Sequence, residues 1–396
     1  MSSELSNQDI VIVAAKRTPM GGFQGALATV ASPKLAATAI KGLMQHSGLA
    51  GEQIDEVLMG CVLPAGLGQA PARQATLGAE LPLSVGATTV NKVCGSGMKT
   101  VMLAHDLIKA GSANVVIAGG MENMSQAPYL LDKARGGMRM GHGKVLDHMF
   151  LDGLEDAYTG GAMGTFAQNT ADDFNLTREQ MDGFALSSLE KANNAIAAGA
   201  FSAEITPVTV ANRRGDVVVD TDEQPGNARP DKIPTLRAAF AKDGTITAAN
   251  SSSISDGAAA LMLMTRAQAS ELKLEVMATI KGHTTHAQEP SMFTTAPVGA
   301  MSKLLEKVSW NKDEVDLFEI NEAFAMVTML AVSELGLDTE KVNVNGGACA
   351  LGHPIGCSGA RLLVTLIHAL KARGLSKGVA SLCIGGGEAT AMAIEL

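Results

Sequence analysis

The chain of 396 residues is too long for one ordinary hydrophobic core, so we expect two or three domains. Its net charge of −9 and aromatic content of 3% exclude a basic surface for duplex phosphates and a stacking platform for single strands, which predicts no nucleic-acid partner. Apolar runs such as 115–120 are too short to cross a bilayer, which predicts no membrane insertion.

The two ends of the sequence and its cysteines bear on the compartment. The start, MSSELSNQDI, lacks the regions of a secretory signal, and the final IEL is not a peroxisomal address. The cysteines are Cys61, Cys94, Cys349, Cys357 and Cys383. Their odd number and their spacing fit no zinc pairing, so we expect a cytoplasmic protein with reduced thiols and no metal site.

Strand and helix patterns alternate along the first third of the chain. In chain order they are a strand at 9–15, a helix at 32–47, strands at 54–62 and 88–93, a helix at 97–110 and a strand at 114–118. This alternation is typical of an α/β fold with a mostly parallel sheet and helices packed on it.

The last third repeats this order. It has helix patterns at 298–308, 323–335 and 359–373, and strand patterns at 314–320, 342–344 and 378–384. The distance from Asp55 to Ser96 nearly equals that from Asp316 to Ser358, and a Ser-Gly pair opens a helix in each copy. Any two α/β units share some of this order, but the matched spacing favours an internal duplication.

A more polar stretch, with a helix pattern at 177–198, separates the two copies. We interpret it as an insertion that covers a site. The predicted division is an N-terminal half of residues 1–123 and 251–275, an inserted loop domain of residues 124–250, and a C-terminal half of residues 276–396.

The first segment with a candidate reactive residue is VNKVCGSGMKT, residues 90–100. Cys94 lies there between a predicted strand and a predicted helix. The partial positive charge of a helix N-terminus lowers a thiol pKa and favours the nucleophilic thiolate. Gly95 and Gly97 allow close approach of the backbone to a ligand. A lone cysteine before a helix is more often inert packing, and that interpretation would prevail if this segment were the only signal.

Two segments of the C-terminal third add candidate groups. In GGACALGHPIGCSGAR, residues 346–361, His353 lies in a loop that corresponds to the Cys94 turn in the second copy. If the copies pack about a pseudo-twofold axis, the two side chains could face each other; the alternative is a solvated histidine. In CIGGGEA, Cys383 ends an apolar strand and could supply a second thiol, or it could be a core cysteine.

A fourth segment, NEAFA, places Asn321 after the strand at 314–320. Open α/β sheets bind ligands at such strand ends, although Asn321 could equally cap the next helix. The glycine-rich runs lack the spacing of Walker or dinucleotide fingerprints, so nucleotide hydrolysis and hydride transfer are unsupported.

Taken together, seven segments in chain order resemble the thiolase family over nearly the whole sequence. They are RTPMGGFQGAL, QAPARQ, VNKVCGSGMK, AGGMENMSQAPY, NEAFA, NGGACALGHPIGCSGAR and CIGGGEA. The resemblance implies an α/β thiolase fold of two duplicated βαβαβαββ halves in five layers (αβαβα), with an inserted loop domain for coenzyme A binding and oligomerisation. It implies a homotetramer or a homodimer, and residues 126–149 resemble the part that mediates tetramers.

The resemblance also implies residue roles in an acyltransferase. Cys94 looks like the acyl-accepting nucleophile, His353 like its base and a donor to the thioester oxygen, and Cys383 like the acid/base for the α-proton of acetyl-CoA. Asn321 looks like the holder of a water in one oxyanion hole. The backbone N–H groups of Cys94 and Gly385 would form the second hole.

Acyl-CoA thioesters and coenzyme A are the implied substrates, with no separate cofactor. The residues that similarity places beside coenzyme A are Leu154, Met163, Phe240, Ala248, Ser252, Ala323 and Phe324. Arg229 and Lys232 are candidates for its phosphates, or else solvated loop charges.

The implied activity is that of an acetyl-CoA C-acetyltransferase, a ping-pong Claisen condensation of two acetyl-CoA or the reverse thiolysis. The alternative is a 3-ketoacyl-CoA thiolase of fatty-acid β-oxidation with longer substrates, since Ala162 replaces a usual histidine and Phe293-Thr294 replaces a usual Met-Gly. A ketoacyl-synthase-like enzyme is disfavoured by the second thiol, Cys383. A non-catalytic acyl-CoA-binding relative is disfavoured by the joint presence of all four catalytic side chains.

Overall fold

The structure is a computed structural model that describes residues 6–396, so the first five residues of the predicted N-terminal half, 1–123, lie outside the described part. The main strands are β1 (Ile10–Arg17), β2 (Glu56–Gly60), β3 (Gly86–Val90), β4 (Val115–Asn123), β5 (Ser255–Thr265), β6 (Ala278–Ala287), β7 (Leu317–Ile320), β8 (Lys377–Ile384) and β9 (Glu388–Glu395). The main helices are α1 (Ser32–Ser47), α2 (Pro71–Gly78), α3 (Ser96–Lys109), α4 (Met163–Asp173), α5 (Arg178–Ala197), α6 (Ala296–Val308), α7 (Ala325–Leu335) and α8 (Ile355–Arg373).

Shorter elements fill the connections. The short helices are Glu223–Asn227, Arg266–Glu271 and Ala348–Leu351, and the short strands are Gly21–Gly22, Tyr129–Leu130, Leu146–Asp147, Val208–Val210 and Val217–Val219. Four of these five strands belong to the stretch between β4 and β5, where they form two separate two-stranded sheets. The predicted boundaries at 123/124, 250/251 and 275/276 stay a prediction.

The strand order shows the duplication. The first five strands lie in the order β1-β5-β4-β2-β3, and the last four in the order β6-β9-β8-β7. In each set the last strand of the half in the chain, β5 or β9, runs antiparallel to both of its neighbours. Val342 adds a parallel bridge beside Phe318 of β7, where β3 stands beside β2 in the first set. The two orders match position for position, as the matched sequence spacing predicted.

The layers follow from the helix contacts. A short pairing of β1 with β6, at Val11–Thr279 and Ile12–Ala278, joins the two sheets at their edges. Helices α3 and α8 pack on each other and share one hydrophobic core with strands of both sheets. Helices α1 and α2 cover the outer face of the first sheet, and α6 covers that of the second. The five-layer α/β arrangement that the resemblance implied is therefore confirmed.

Helix α8 shows why this central layer holds together. Its residues from Ile355 to Leu370 are all buried, as a helix between two sheets requires. By length and hydropathy this helix could cross a membrane, unlike the shorter runs considered in the sequence. However, 83% of its apolar 18-residue stretch is buried inside the fold, as in the core helix of a globular protein. Its length and hydropathy are therefore weak evidence for a membrane.

The glycine pair at the middle of β4 sets how closely the layers approach. A Cβ atom at Gly120 would lie 2.0 Å from the backbone oxygen of Gly356 in α8, and one at Gly119 would lie 2.1 Å from that of Ala259 in β5. Because both obstacles are backbone atoms, no side chain can turn aside to make room. The Gly-Gly pair is thus a packing requirement of the fold.

We expect Gly120→Ala to lower the free energy of unfolding by about 3 kcal/mol, the upper range for an overpacked core. Urea unfolding measures the change. Gly183→Ala is the matched control. Gly183 is at an exposed position of helix α5, where an added Cβ meets no atom within 4 Å, so this change should be neutral or stabilising. Equal midpoints for the two variants would contradict the close contact.

Candidate active site

The turn between β3 and α3 presents Cys94 through a strained backbone. Val93 has a φ of 46°, a left-handed conformation that is unusual for a β-branched residue. Its N–H donates to the side chain of Asn91 at 2.9 Å, and the hydroxyl of Ser96 donates to its carbonyl at 2.7 Å. The surrounding bonds therefore hold a conformation that the chain would otherwise avoid, as is common where a reactive group must be presented.

Cys94 opens into a cavity of about 380 Å³ with mostly apolar walls. Both halves and the insertion contribute to it. The predicted site residues that line it are Cys94, Leu154, Met163, Phe240, Ala248, Ser252, Ala323, Phe324, His353, Cys383 and Gly385. The two thiols and the imidazole therefore converge, as the sequence analysis hypothesised.

The Cys94 thiol is held in a protonated state by its surroundings. Burial raises its pKa to about 11, against the opposing effect of the backbone N–H groups of Gly385 and of Cys94 itself. The predicted lowering of this pKa by the helix N-terminus is therefore wrong for the free site, because desolvation outweighs the favourable N–H groups. As a nucleophile this thiol would need a base, and the two N–H groups are directed at its Sγ atom.

His353 has the properties of that base. Burial, and then the charge of Arg361, lowers its pKa to about 3, so the ring is neutral. The hydroxyl of Ser358 donates to the carbonyl of Pro354 at 3.0 Å, which leaves its oxygen to accept from Nδ1–H of His353 at 2.5 Å. This network assigns the tautomer in which Nε2 has a free lone pair and can take a proton.

Cys383 is buried at the end of β8. Burial, and then repulsion by a thiolate at Cys94, raises the pKa of its thiol well above the usual value. The resting form is thus a protonated thiol, which can donate a proton before it accepts one. The backbone N–H of Cys383 itself lowers this pKa, but the loss of solvation outweighs it.

Asn321 lies beside the imidazole. Its Nδ2 atom is 3.5 Å from Nε2 of His353, and its Oδ1 atom is buried without a hydrogen-bond partner within residues 6–396. Helix α7 begins at Ala325 after Phe324, so the alternative that Asn321 caps this helix is wrong. The side chain is directed at the site rather than at the helix.

Arg229 and Lys232 do not line the cavity of the thiols. They line a neighbouring cavity of about 690 Å³, which shares Ala248, Ser253 and Ile254 with the first. The Lys232 side chain is exposed and stands 3.6 Å from Asp231. The two cations therefore lie in a second cavity that shares part of its wall with the cavity of the thiols.

A buried acid near the site, Glu122, was not predicted from the sequence. The buried carboxylate of Glu122, in β4, accepts backbone N–H groups from Val62, Leu63 and Gly356 at 2.9–3.1 Å. Burial raises its pKa to about 7. It ties the first sheet to the first turn of α8, three residues after His353. The sequence signal was an acid inside an otherwise apolar strand.

Comparison with known proteins bears on the whole chain. The families described as "Thiolase, N-terminal domain" and "Thiolase, C-terminal domain" match residues 10–267 and 274–396. Acetyl-CoA acetyltransferases of Pseudomonas aeruginosa and Escherichia coli are 49% and 50% identical, each over 98% of this chain and 99% of the relative. The crystal structure of the Bacillus anthracis acetyl-CoA acetyltransferase has a TM-score of 0.96 and 42% identity, and the match covers 98% of this chain and 100% of that chain. Because these matches span both halves, the chain belongs to the thiolase family, as its seven segments predicted.

Proposed function

We propose that this thiolase is an acetyl-CoA C-acetyltransferase, which condenses two acetyl-CoA to acetoacetyl-CoA and coenzyme A or runs the reverse thiolysis. The observation that carries the proposal is the convergence of Cys94, His353 and Cys383 in one apolar cavity. Relatives with 49% and 50% sequence identity over 98% of this chain carry the name acetyl-CoA acetyltransferase. The substrates are thioesters of coenzyme A, and the proposal calls for no separate cofactor.

The first half-reaction forms acyl-Cys94. Nε2 of neutral His353 takes the Sγ proton as the sulfur attacks the thioester carbonyl carbon. The N–H groups of Cys94 and Gly385 stabilise the charge that develops on the carbonyl oxygen. The carbon–sulfur bond to coenzyme A then breaks, and its thiolate takes the proton of Cys383. The resting protonated state of Cys383 suits this donation.

The second half-reaction forms the carbon–carbon bond. The Cys383 thiolate removes the α-proton of a second acetyl-CoA. The enolate oxygen is stabilised by Nε2–H of the charged His353 and by a water held on Oδ1 of Asn321. The enolate carbon attacks the acyl-Cys94 carbonyl, Cys94 leaves as a thiolate, and it recovers its proton from His353. Covalent capture thus divides the condensation into two easier steps.

Coenzyme A would follow the channel outward from the thiols. The residues that face its pantetheine arm in this proposal, all apolar except the serine, are Leu154, Met163, Phe240, Ala248, Ser252, Ala323 and Phe324. Arg229 and Lys232 would meet its phosphates in the outer cavity, where an anion gains from two nearby cations. The wall that the two cavities share, at Ala248, Ser253 and Ile254, supports this path.

The rival 3-ketoacyl-CoA thiolase is favoured by one observation, the small side chain of Ala162 in the cavity wall. Against it, Phe293 packs edge-on to Phe324, with ring centroids 6.4 Å apart, and Phe324 packs likewise against Phe240 at 6.3 Å. These buried or half-buried rings limit the room for a longer acyl chain. The balance favours a short substrate.

We expect kcat/KM for thiolysis to fall at least about tenfold for each two carbons added to acetoacetyl-CoA, since one misplaced methylene costs about 1–3 kcal/mol. A series of 3-ketoacyl-CoA substrates from four to ten carbons measures this. Phe293→Ala should flatten the profile, whereas Thr294→Ser, whose parent side chain lies outside the cavity lining, should keep it. A flat or rising profile for the unmodified enzyme would establish the longer-chain alternative.

We also propose that the enzyme is a homotetramer, with a homodimer as the alternative. The predicted tetramer segment, 126–149, carries exposed apolar side chains, among them Tyr129, Met140 and Val145, and Met140 is 96% exposed. Apolar groups of this size in one segment are typical of an interaction surface.

A cytoplasmic location is proposed from the cysteines, all five of which are free thiols within the described chain.

A further inference from the structure

A second cluster of chemically active side chains lies at the other end of α3 from the catalytic turn. His105 and Asp106 are in the last two turns of this helix, about 16 Å along its axis from Cys94. They meet His283 of β6, 178 positions away from His105 in the sequence. We propose that these three side chains form a binding site for a divalent transition-metal ion of the zinc type.

The distances fit such an ion. Oδ1 of Asp106 is 2.9 Å from Nδ1 of His105 and 3.0 Å from Nε2 of His283, and the two nitrogens are 3.3 Å apart. A tetrahedral zinc ion with bonds of about 2.0–2.1 Å separates its ligand atoms by about 3.3 Å. The three atoms therefore stand near the corners of one face of a zinc tetrahedron and need shifts of a few tenths of an ångström.

The arrangement is more convergent than a simple hydrogen bond requires. Both imidazoles direct a nitrogen at the same carboxylate oxygen and at each other, and the rings meet edge to face at 84° with centroids 5.0 Å apart. A single proton can occupy the space between the two nitrogens, whereas one cation can accept a lone pair from all three atoms at once. The two rings are mostly buried, with side chains 19% and 13% exposed, so they are held in place.

The donor set selects the class of ion. Two imidazoles and one carboxylate suit zinc, cobalt and nickel, whereas magnesium and calcium prefer oxygen ligands alone. Three protein ligands leave a fourth position for water. Asp106 is 54% exposed, which gives the ion a route from solvent. The ammonium of Lys307, which donates to the backbone oxygen of His283, lowers the affinity through its charge without occupying a ligand atom.

The position of the site gives the ion a structural role. His105 and Asp106 belong to α3 beneath the first sheet, and His283 belongs to the first strand of the second sheet. The backbone pairing that joins these sheets is limited to two residue pairs. A bound ion would add a further link between them. Because it would bind the folded chain, the melting temperature would rise as the free-ion concentration increases above the dissociation constant.

The test uses the full chain, freed of metal with a chelator and titrated with Co²⁺, whose visible spectrum reports its ligands. We expect one ion per chain with the bands of a nitrogen and oxygen site, no thiolate charge-transfer band, and a melting temperature that rises with Co²⁺. His283→Gln should weaken binding at least tenfold and remove the thermal shift. His46→Gln, a change at an exposed histidine of α1 outside the cluster, should leave both unchanged.

The Asp106→Asn variant and the absorption spectrum test whether the bound Co²⁺ is at this cluster. Asp106→Asn, at a half-exposed position that tolerates substitution, should lose affinity in the same way while its melting temperature in chelator matches the parent. The proposal is overturned if Asp106→Asn and His283→Gln bind Co²⁺ as the parent does. It is also overturned if the spectrum shows thiolate ligation, because the ion would then be at the catalytic cysteines.

Discussion

Replacing Cys94 with alanine should lower kcat by roughly 10⁴–10⁶-fold in both the condensation and the thiolysis direction, the scale of removing a covalent nucleophile. The loss is symmetric because both directions pass through acyl-Cys94. His353 and the two oxyanion N–H groups remain in the variant, but neither can hold the acyl group between the two half-reactions. Steady-state rates with acetyl-CoA, and with acetoacetyl-CoA plus coenzyme A, measure the effect.

The matched control is Cys357→Ala. Cys357 is fully buried in the core between the sheets, and burial raises its pKa to about 12, so its thiol has no path to substrate. Its activity should be unchanged when rates are normalised to folded protein. Activity in Cys94→Ala comparable with that of this control would rule out the acyl-Cys94 mechanism.

The local geometry at Cys94 was largely predictable from its neighbours in the chain. The strand, the sharp turn and the helix all follow from the segment 90–100, and helix α1 has the predicted bounds of 32–47. These features depend on short-range hydrophobic periodicity and turn residues, which the sequence displays directly. The duplication was visible for the same reason, since it repeats such patterns in order.

Three of the nine main strands were not predicted, and their composition explains why. Strands β5, β6 and β9 are rich in Ala, Met and Gly or in polar residues, as in SDGAAALMLMT, rather than in β-branched and aromatic residues. They are strands because each lies between two others in a sheet. Small side chains suit that position, as Gly119 shows against the backbone of β5. Tertiary packing decides this, and a single sequence does not display it.

The electrostatics of the site could not be predicted for a related reason. The helix N-terminus predicted a thiolate at Cys94, but burial raises the pKa of this thiol. The cavity around Cys94 is lined by residues as distant in the sequence as Met163 and Phe324. Contacts between the halves likewise create the environment of the Glu122 carboxylate and bring His283 to His105 and Asp106. The sequence predicted that Cys94, His353 and Cys383 could meet at one site, whereas their protonation states required the packed structure.

Replacing Cys383 with alanine should separate the two half-reactions. We expect condensation to fall by about 10²–10⁴-fold, the usual contribution of a positioned acid or base, while acyl-Cys94 still forms from acetyl-CoA. The α-proton of a thioester is weakly acidic and needs a base close by, whereas the thiolate of coenzyme A is a good leaving group that needs little help. Mass measurement of the chain after incubation with acetyl-CoA detects the acyl group.

The two cysteine variants together test whether Cys94 holds the acyl group and Cys383 transfers the α-proton. Cys94→Ala should show neither acylation nor turnover, and Cys383→Ala should show acylation without turnover. Cys383→Ser, which keeps a proton-bearing group of higher pKa, should fall between the parent and the alanine variant in condensation rate. If Cys383→Ala lost acylation as completely as condensation, the thiol would be needed to form acyl-Cys94, and the assignment of carbon chemistry to Cys383 alone would fail. If it lost neither, another group would have to remove the α-proton, although among the side chains that line the cavity only His353 and the serines beside it could do so.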